Sequence, residues 1–172
     1  MGIHLILTGF MGAGKTTVGK ALSSLMSRPL LDTDQLIEAQ AGMSVSRIFE
    51  VWGEEEFRRL ETETIRTILD RKEAVVLSVG GGLPLREENR LLLRQAGQVV
   101  YLRVKPQTVL TRLKGDTTRP LLQGGDVEEK VRNLLTLRGP VYEEGAHLIV
   151  DVDGKTPQQI GEEILCKKRL KI

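Results

Sequence analysis

Apolar positions in this chain follow two alternating rhythms. Short continuous runs of strand type occur at Ile3, Leu5, Ile6 and Leu7, and at Pro29, Leu30 and Leu31, a run that ends in Asp32, Thr33 and Asp34. Further runs lie over residues 74–79 (AVVLSV), at Val99, Val100, Tyr101 and Leu102, and at Leu148, Ile149 and Val150. Between them the spacing becomes helical, as at Val18, Ala21, Leu22 and Leu25 up to Met26, and from Gln35 to Ala41 with a stop at Gly42. Ser44 is set to cap a turn carrying Val45, Ile48, Phe49 and Trp52. A charged helix beyond Gly53 is expected to reach Arg71 with Phe57, Leu60, Thr64, Ile65 and Ile68 inward. The aromatic side chains Phe49, Trp52 and Phe57 read as core, with Phe49 and Phe57 available to a pocket edge. Leu91, Leu92 and Leu93 fall on a helix ending near Gly97, and Pro106 suits the first turn of another through Leu113. A helix from Val127 to about Arg138 and one opened by Pro157 complete the pattern. Strands and helices alternating in this way predict an α/β layer fold with a mainly parallel sheet.

One segment breaks the rhythm. Residues 115–126 (GDTTRPLLQGGD) hold three glycines and a proline around Arg119, which reads as a hinged flap. An arginine carried on such a flap can swing onto a phosphoryl group in transit.

The first strand leads directly into GFMGAGKTT over residues 9–17. Gly9, four intervening residues, then Gly14, Lys15 and Thr16 satisfy the P-loop pattern in its required strand–loop–helix context. Backbone amides can close around a polyphosphate only where side chains are absent, and Gly9, Gly12, Ala13 and Gly14 keep that space clear. Lys15 can reach the outer phosphates, Thr16 can offer its hydroxyl to magnesium, and the helix dipole adds to the attraction. A nucleoside triphosphate and Mg²⁺ are therefore the expected ligands.

In open parallel sheets, ligands collect beyond the carboxyl ends of the strands. The expected strand ends here carry the P-loop, Asp32 and Asp34, the glycines 80–82, and Arg103 with Lys105. Asp32 and Asp34, two apart at an extended strand end, would share a side, one facing magnesium and the other a substrate hydroxyl. The competing reading is that one of them only caps the next helix. The third strand lacks the usual acidic residue of a Walker B motif, so Asp32 is the candidate carboxylate for the metal. Three consecutive glycines suggest close approach of a ligand to the backbone at Gly80, Gly81 and Gly82. Arg58 and Arg59 lie on a charged helix where solvated arginines are the ordinary reading. His4 and His147 have no acidic partner at a suggestive spacing and are not candidates.

Composition adds exclusions. The 172 residues carry 25 basic and 23 acidic side chains, a net charge of +2, which points away from nucleic acid or a membrane surface as partner. The single cysteine, Cys166, excludes an internal disulfide and suits a reducing cytosol. No apolar run approaches the roughly 18 residues of a membrane span, and no secretory signal is expected.

Six segments occur together in order: GFMGAGKTTVGKAL, LLDTDQLIE, FRRLE, LSVGGG, TRPLL and LRGPVYEE. As a set they resemble the shikimate kinase family, a branch of the nucleoside-monophosphate-kinase-like P-loop proteins. The resemblance implies a five-stranded parallel sheet flanked by helices, in a single kinase domain. Its core would comprise residues 1–33, 74–112 and 127–172, its substrate-binding helical region about 34–71, and its lid about 114–126. It further implies that Asp34, Arg58, Gly80, Gly81, Gly82 and Arg138 hold shikimate. Asp34 would orient or deprotonate the 3-hydroxyl, and Arg58, steadied by Glu61, would join Arg138 on the carboxylate. ATP would lie on Gly12, Ala13, Gly14, Lys15, Thr16 and Thr17, with Lys155 and Pro157 along the adenine loop and Arg112 over the base. Arg119 would reach ATP from the lid, and Thr16 with Asp32 would serve the metal. A cytoplasmic monomer in chorismate synthesis is the expected setting. The alternatives are another small-metabolite or nucleotide kinase, such as a gluconate kinase, and a regulatory nucleotide switch. No NKxD guanine-reading motif is present, which weighs against a GTP switch.

Overall fold

The computed structural model describes residues 3–114 and 124–169. β1 (His4–Thr8) lies at the middle of a parallel sheet, between β3 (Val76–Ser78) and β4 (Gly97–Arg103). β2 (Leu30–Asp32) flanks β3 and β5 (Leu148–Asp151) flanks β4, so five strands run in the order β2-β3-β1-β4-β5. Register is set centrally, with Leu5 opposite Val76 on one side and Gln98 on the other. All five residues of β1 are buried, as a parallel strand covered on both faces requires.

The period-two alternation of β1 divides the core. Leu5 and Leu7 pack with Val18 and Leu22 of α1 (Lys15–Met26) and with Ile160 and Ile164 of α8 (Pro157–Arg169). Ile6 faces the opposite layer, against Ile65 and Ile68 of α4 (Glu54–Leu69) and Leu93 of α5 (Glu87–Ala96). β1 and β3 are neighbours, yet the helices that follow them, α1 and α5, cover opposite faces. A crevice opens beyond the carboxyl ends of those two strands, where such sheets bind ligands.

The remaining elements surround that crevice. α2 (Thr33–Ala41), α3 (Val45–Val51) and α4 close on their own small apolar cluster of Ile37, Ile48, Phe57 and Leu60. A short 3₁₀ turn, η1 (Leu83–Leu85), continues the chain after the glycines, α6 (Pro106–Leu113) follows β4, and α7 (Val127–Gly145) leads to β5.

Several expectations are corrected. Thr33 and Asp34 are not strand residues: α2 begins at Thr33, and Asp32 caps it by accepting from Gln35 N at 3.1 Å. The two aspartates therefore do not share the side of an extended strand. β3 lies between β2 and β1, so Asp32 and the P-loop follow strands that are not neighbours. α7 does not stop near Arg138 but continues through Gly139 and Pro140 to Gly145. The proline removes one helical hydrogen bond, and long-range anchors at Arg138 before it and Tyr142 after it hold the helix together. Trp52 is 45% exposed rather than core, whereas Phe57 is buried and stacks on Phe49 with ring centroids 4.8 Å apart. The segment around Arg119 lies outside the described residues.

Both histidines serve the backbone. His4 accepts from Val75 N on Nδ1 and bonds Ile68 O through Nε2, which fixes the tautomer with its proton on Nε2. Its burial lowers its pKa from the usual value. His147 Nδ1 accepts from Val99 N.

Candidate active site

The P-loop forms as its sequence requires. Gly12 and Gly14 sit at φ 78° and 90°, in the left-handed region where L side chains are strained. Gly14 is the N-cap of α1 and supplies no side-chain capping bond, so the first-turn amides are not consumed by a cap. Thr17 Oγ1 donates back to Gly14 O at 3.0 Å, and Lys15 Nζ donates to Gly9 O and Phe10 O at 2.8 and 3.1 Å. The ammonium thus stands over the loop beside a helix N-terminus, while Thr16 in the first helical turn is exposed. Such a cradle fits a polyphosphate. From α6, Arg112 Nη1 donates to Gly12 O at 2.8 Å, which brings a second cation to the rim.

Opposite this cradle lies the glycine loop 80–82. A Cβ on Gly80 would fall 2.8 Å from Asp34 Oδ1, and one on Gly82 would fall 2.5 Å from Arg58 Nη1. A Cβ on Gly81 would lie 3.7 Å from Arg138 Nη1 and 3.6 Å from Gly9 O of the P-loop. The absent side chains are therefore the means by which one carboxylate, two guanidiniums and the phosphate cradle meet. Asp34, Arg58, Gly80, Gly81, Gly82 and Arg138 converge as expected from the sequence, and Gly9 O, which accepts from Lys15 Nζ, lies near this loop.

Each converging side chain has a local cause. Asp34 occupies the first turn of α2, and Gly80 N is tied to the same turn by Thr33 Oγ1 at 3.0 Å. Arg58 and Arg59 separate by helical geometry. Arg59 faces solvent between Glu56 and Glu63, the ordinary reading, whereas Arg58 turns inward and donates to Glu61 Oε2 at 2.7 Å. Glu61 is only 1% exposed, and burial pushes its carboxyl up to about 7 against the pull of Arg58. Arg138 is 7% exposed, with its guanidinium carbon 5.9 Å from the Phe10 ring centroid. Tyr142, one turn beyond Arg138, donates its hydroxyl to Gly81 O at 2.6 Å. Burial raises the pKa of that phenol. Tyr142 was missed in the sequence, although its spacing of four from Arg138 on one helix face was a usable signal.

Other expected positions are placed less centrally. Asp32 Oδ1 accepts the α2 capping bond, so a metal there would take the second carboxylate oxygen. Magnesium commonly takes one or two protein oxygens with phosphates and waters, so Thr16 and Asp32 are a sufficient donor set in kind. Lys155 Nζ donates to Asp151 O at 2.8 Å and pairs with Glu163 at 2.6 Å, which holds it beyond β5. Pro157 is the first residue of α8. Asp153, which sequence reasoning did not single out, accepts from Lys105 N and Thr108 Oγ1 and so ties this loop to the helix bearing Arg112. Arg103 is structural, forked onto Asp151 across β4 and β5 at 2.6 and 3.0 Å.

Comparison with known proteins agrees with this geometry. The family model described as shikimate kinase matches residues 11–168. The chain is 44% identical over 163 residues to a shikimate kinase of Geobacter sulfurreducens, covering 95% of this chain and 89% of that one. It is 40% identical over 162 residues to one from Thermodesulfovibrio yellowstonii, covering 94% and 92%. A solved shikimate kinase from Acinetobacter baumannii, in complex with shikimate, superposes with a TM-score of 0.93 at 38% identity, covering 99% of this chain and 95% of that one. The family match over residues 11–168, the identity shared with these enzymes and the common sheet establish that the chain belongs to the shikimate kinase family.

Proposed function

We infer that this protein transfers the γ-phosphoryl group of ATP to the 3-hydroxyl of shikimate, yielding shikimate 3-phosphate and ADP. The observation that carries this reading is the double contact of Gly81, whose Cβ position lies 3.6 Å from Gly9 O and 3.7 Å from Arg138 Nη1. The Gly81 backbone thus borders the phosphate loop and an acceptor-side guanidinium alike. Arg58 and Arg138 would pair with the shikimate carboxylate, whose planar oxygens match guanidinium forks. Asp34 would accept a hydrogen bond from the 3-hydroxyl. As that oxygen bonds the γ-phosphorus, the bond to the β–γ bridging oxygen breaks, ADP leaves with the electron pair, and the hydroxyl proton passes toward Asp34.

Phosphoryl transfer has a loose transition state, so alignment and charge stabilisation dominate. Lys15 and the first-turn amides of α1 would carry the phosphate charge, with Thr17 at the same turn. A magnesium ion held by Thr16 and Asp32 would neutralise further phosphate charge when bound. Arg112 would cover the base, and Lys155 and Pro157 would border it. Arg119, outside the described residues, is assigned by family resemblance to the transferring phosphate. Because one chain supplies both halves, a monomer suffices. Dependence on ATP suits a cytoplasmic setting in aromatic amino acid synthesis.

A coupled ADP-release assay across shikimate, quinate, gluconate and nucleoside monophosphates tests the acceptor. Shikimate is expected to stimulate release far above the others. Equal or greater stimulation by gluconate or a nucleotide would overturn the assignment.

A further inference from the structure

Arg58 and the glycine loop belong to different elements, and their spacing is tight: a Cβ at Gly82 would come 2.5 Å from Arg58 Nη1. Something must hold α4 and the loop in register. The side chain that spans them is Asn89, on α5 and wholly enclosed at 0% exposure. Its Nδ2 donates to Leu83 O at 2.9 Å, the carbonyl immediately after the glycines. Its Oδ1 accepts from Thr62 Oγ1 at 2.8 Å, one turn after Arg58 on α4.

The direction of both bonds is forced. Leu83 O can only accept, so the amide nitrogen faces it and the amide oxygen faces Thr62. The Thr62 hydroxyl has one proton, and although Arg58 O stands 3.2 Å away, the shorter bond goes to Asn89. The next two carbonyls, Pro84 O and Leu85 O, are held by Arg90 Nη1 at 2.9 and 3.1 Å. α5 therefore grips three successive carbonyls of η1, and Asn89 extends that grip to the helix carrying Arg58.

We propose that the buried Thr62–Asn89 pair is a positioning element for acceptor recognition, fixing the distance between the Arg58 guanidinium and the Gly82 backbone. The proposal rests on the acceptor reading above, since it is the substrate carboxylate that senses this spacing. Neither residue touches substrate; both act through Arg58 and the loop. Loss of the pair should weaken acceptor binding and spare the nucleotide side.

The test is steady-state kinetics on the full-length protein, wild type first, with thermal midpoints for each variant. Thr62→Val keeps shape and removes the proton that Asn89 Oδ1 accepts. Shikimate KM is expected to rise on the order of tenfold, with ATP KM within about twofold and kcat falling less than KM rises. Thr62→Ser restores the hydroxyl and should recover the shikimate KM. Asn89→Ser, which can reach only one of the two partners, should show the same split if Thr62→Val is too unstable to purify. Absence of shikimate-dependent turnover in the wild type sinks the acceptor reading and the proposal with it. Normal wild-type turnover with an unmoved shikimate KM in the variants, whatever their thermal midpoints, overturns the positioning role alone.

Discussion

The guanidinium of Arg58 lies over Gly82 so closely that no side chain fits there: a Cβ at Gly82 would fall 2.5 Å from Arg58 Nη1. Gly82 itself has ordinary helical backbone angles, φ −88° and ψ −13°, so an alanine there is not strained by its conformation. What must yield is the guanidinium, which Glu61 holds on its other side. Gly82→Ala is therefore expected to lower the thermal midpoint, because displacing the guanidinium strains its pair with buried Glu61 by more than the roughly 0.4–1 kcal/mol that alanine gains through unfolded-state entropy. Shikimate KM should rise by about tenfold or more. Steady-state kinetics beside thermal melts check this, and an unchanged shikimate KM would refute it.

Asp34 faces the same loop from the first turn of α2. Asp34→Asn keeps the shape and removes the charge. A fall in kcat on the order of 10²–10⁴ is expected, with shikimate binding reduced far less. Calorimetric titration of shikimate together with turnover separates the two, and near-wild-type kcat would remove Asp34 from the reacting centre.

Tyr142 ties α7 to the loop through Gly81 O. Tyr142→Phe leaves the ring in the core and the carbonyl without that donor, at an expected cost of about 1–3 kcal/mol in stability. Shikimate KM should increase more than ATP KM, since Gly81 loses its tether to α7. Urea unfolding and kinetics on the same preparation measure both effects; a change in ATP KM alone would contradict the assignment.

Glu61 makes stability depend on pH. Its carboxyl is raised from 4.5 to about 7, chiefly by burial, with Arg58 opposing and Asp34 adding to the rise. The folded state therefore binds this proton more tightly than the unfolded state does. Stability from the group is complete below about pH 4.5, is lost as pH climbs to about 7, and is flat above that. Relative to Glu61→Gln, wild type should lose on the order of 2–3 kcal/mol between pH 5 and 8. Denaturant midpoints for the two proteins across that range decide it. A wild-type advantage that grows with pH would mean that Arg58 keeps the buried carboxylate charged.

Local chemistry was legible in the sequence, and long-range chemistry was not. α1 runs from Lys15 to Met26, and the P-loop glycines adopt the left-handed angles, because a strand, a nest and an amphipathic helix are each specified within a few residues. Ser44 caps α3 for the same reason. Strand order is not local, so the separation of β2 from β1 by β3 was invisible. The spacing of Asp32 and Asp34 misled because Asp32 prefers to cap, which moves Asp34 into a helical turn. The helix end expected near Arg138 is overrun because Tyr142 binds a carbonyl 61 residues away, a contact that nothing local to α7 specifies. Asn89 and Thr62 gave no signal, since an asparagine and a threonine on separate helices acquire meaning only when folding encloses them together.

The central claim is that the cradle and the glycine loop act on one phosphoryl group. Rapid-quench single turnover with γ-labelled ATP, enzyme in excess, measures this most directly. In the presence of shikimate, label is expected to appear on shikimate with close to one equivalent transferred per ATP bound, and scarcely any as inorganic phosphate. Label released to water at the same rate with and without shikimate would contradict the account.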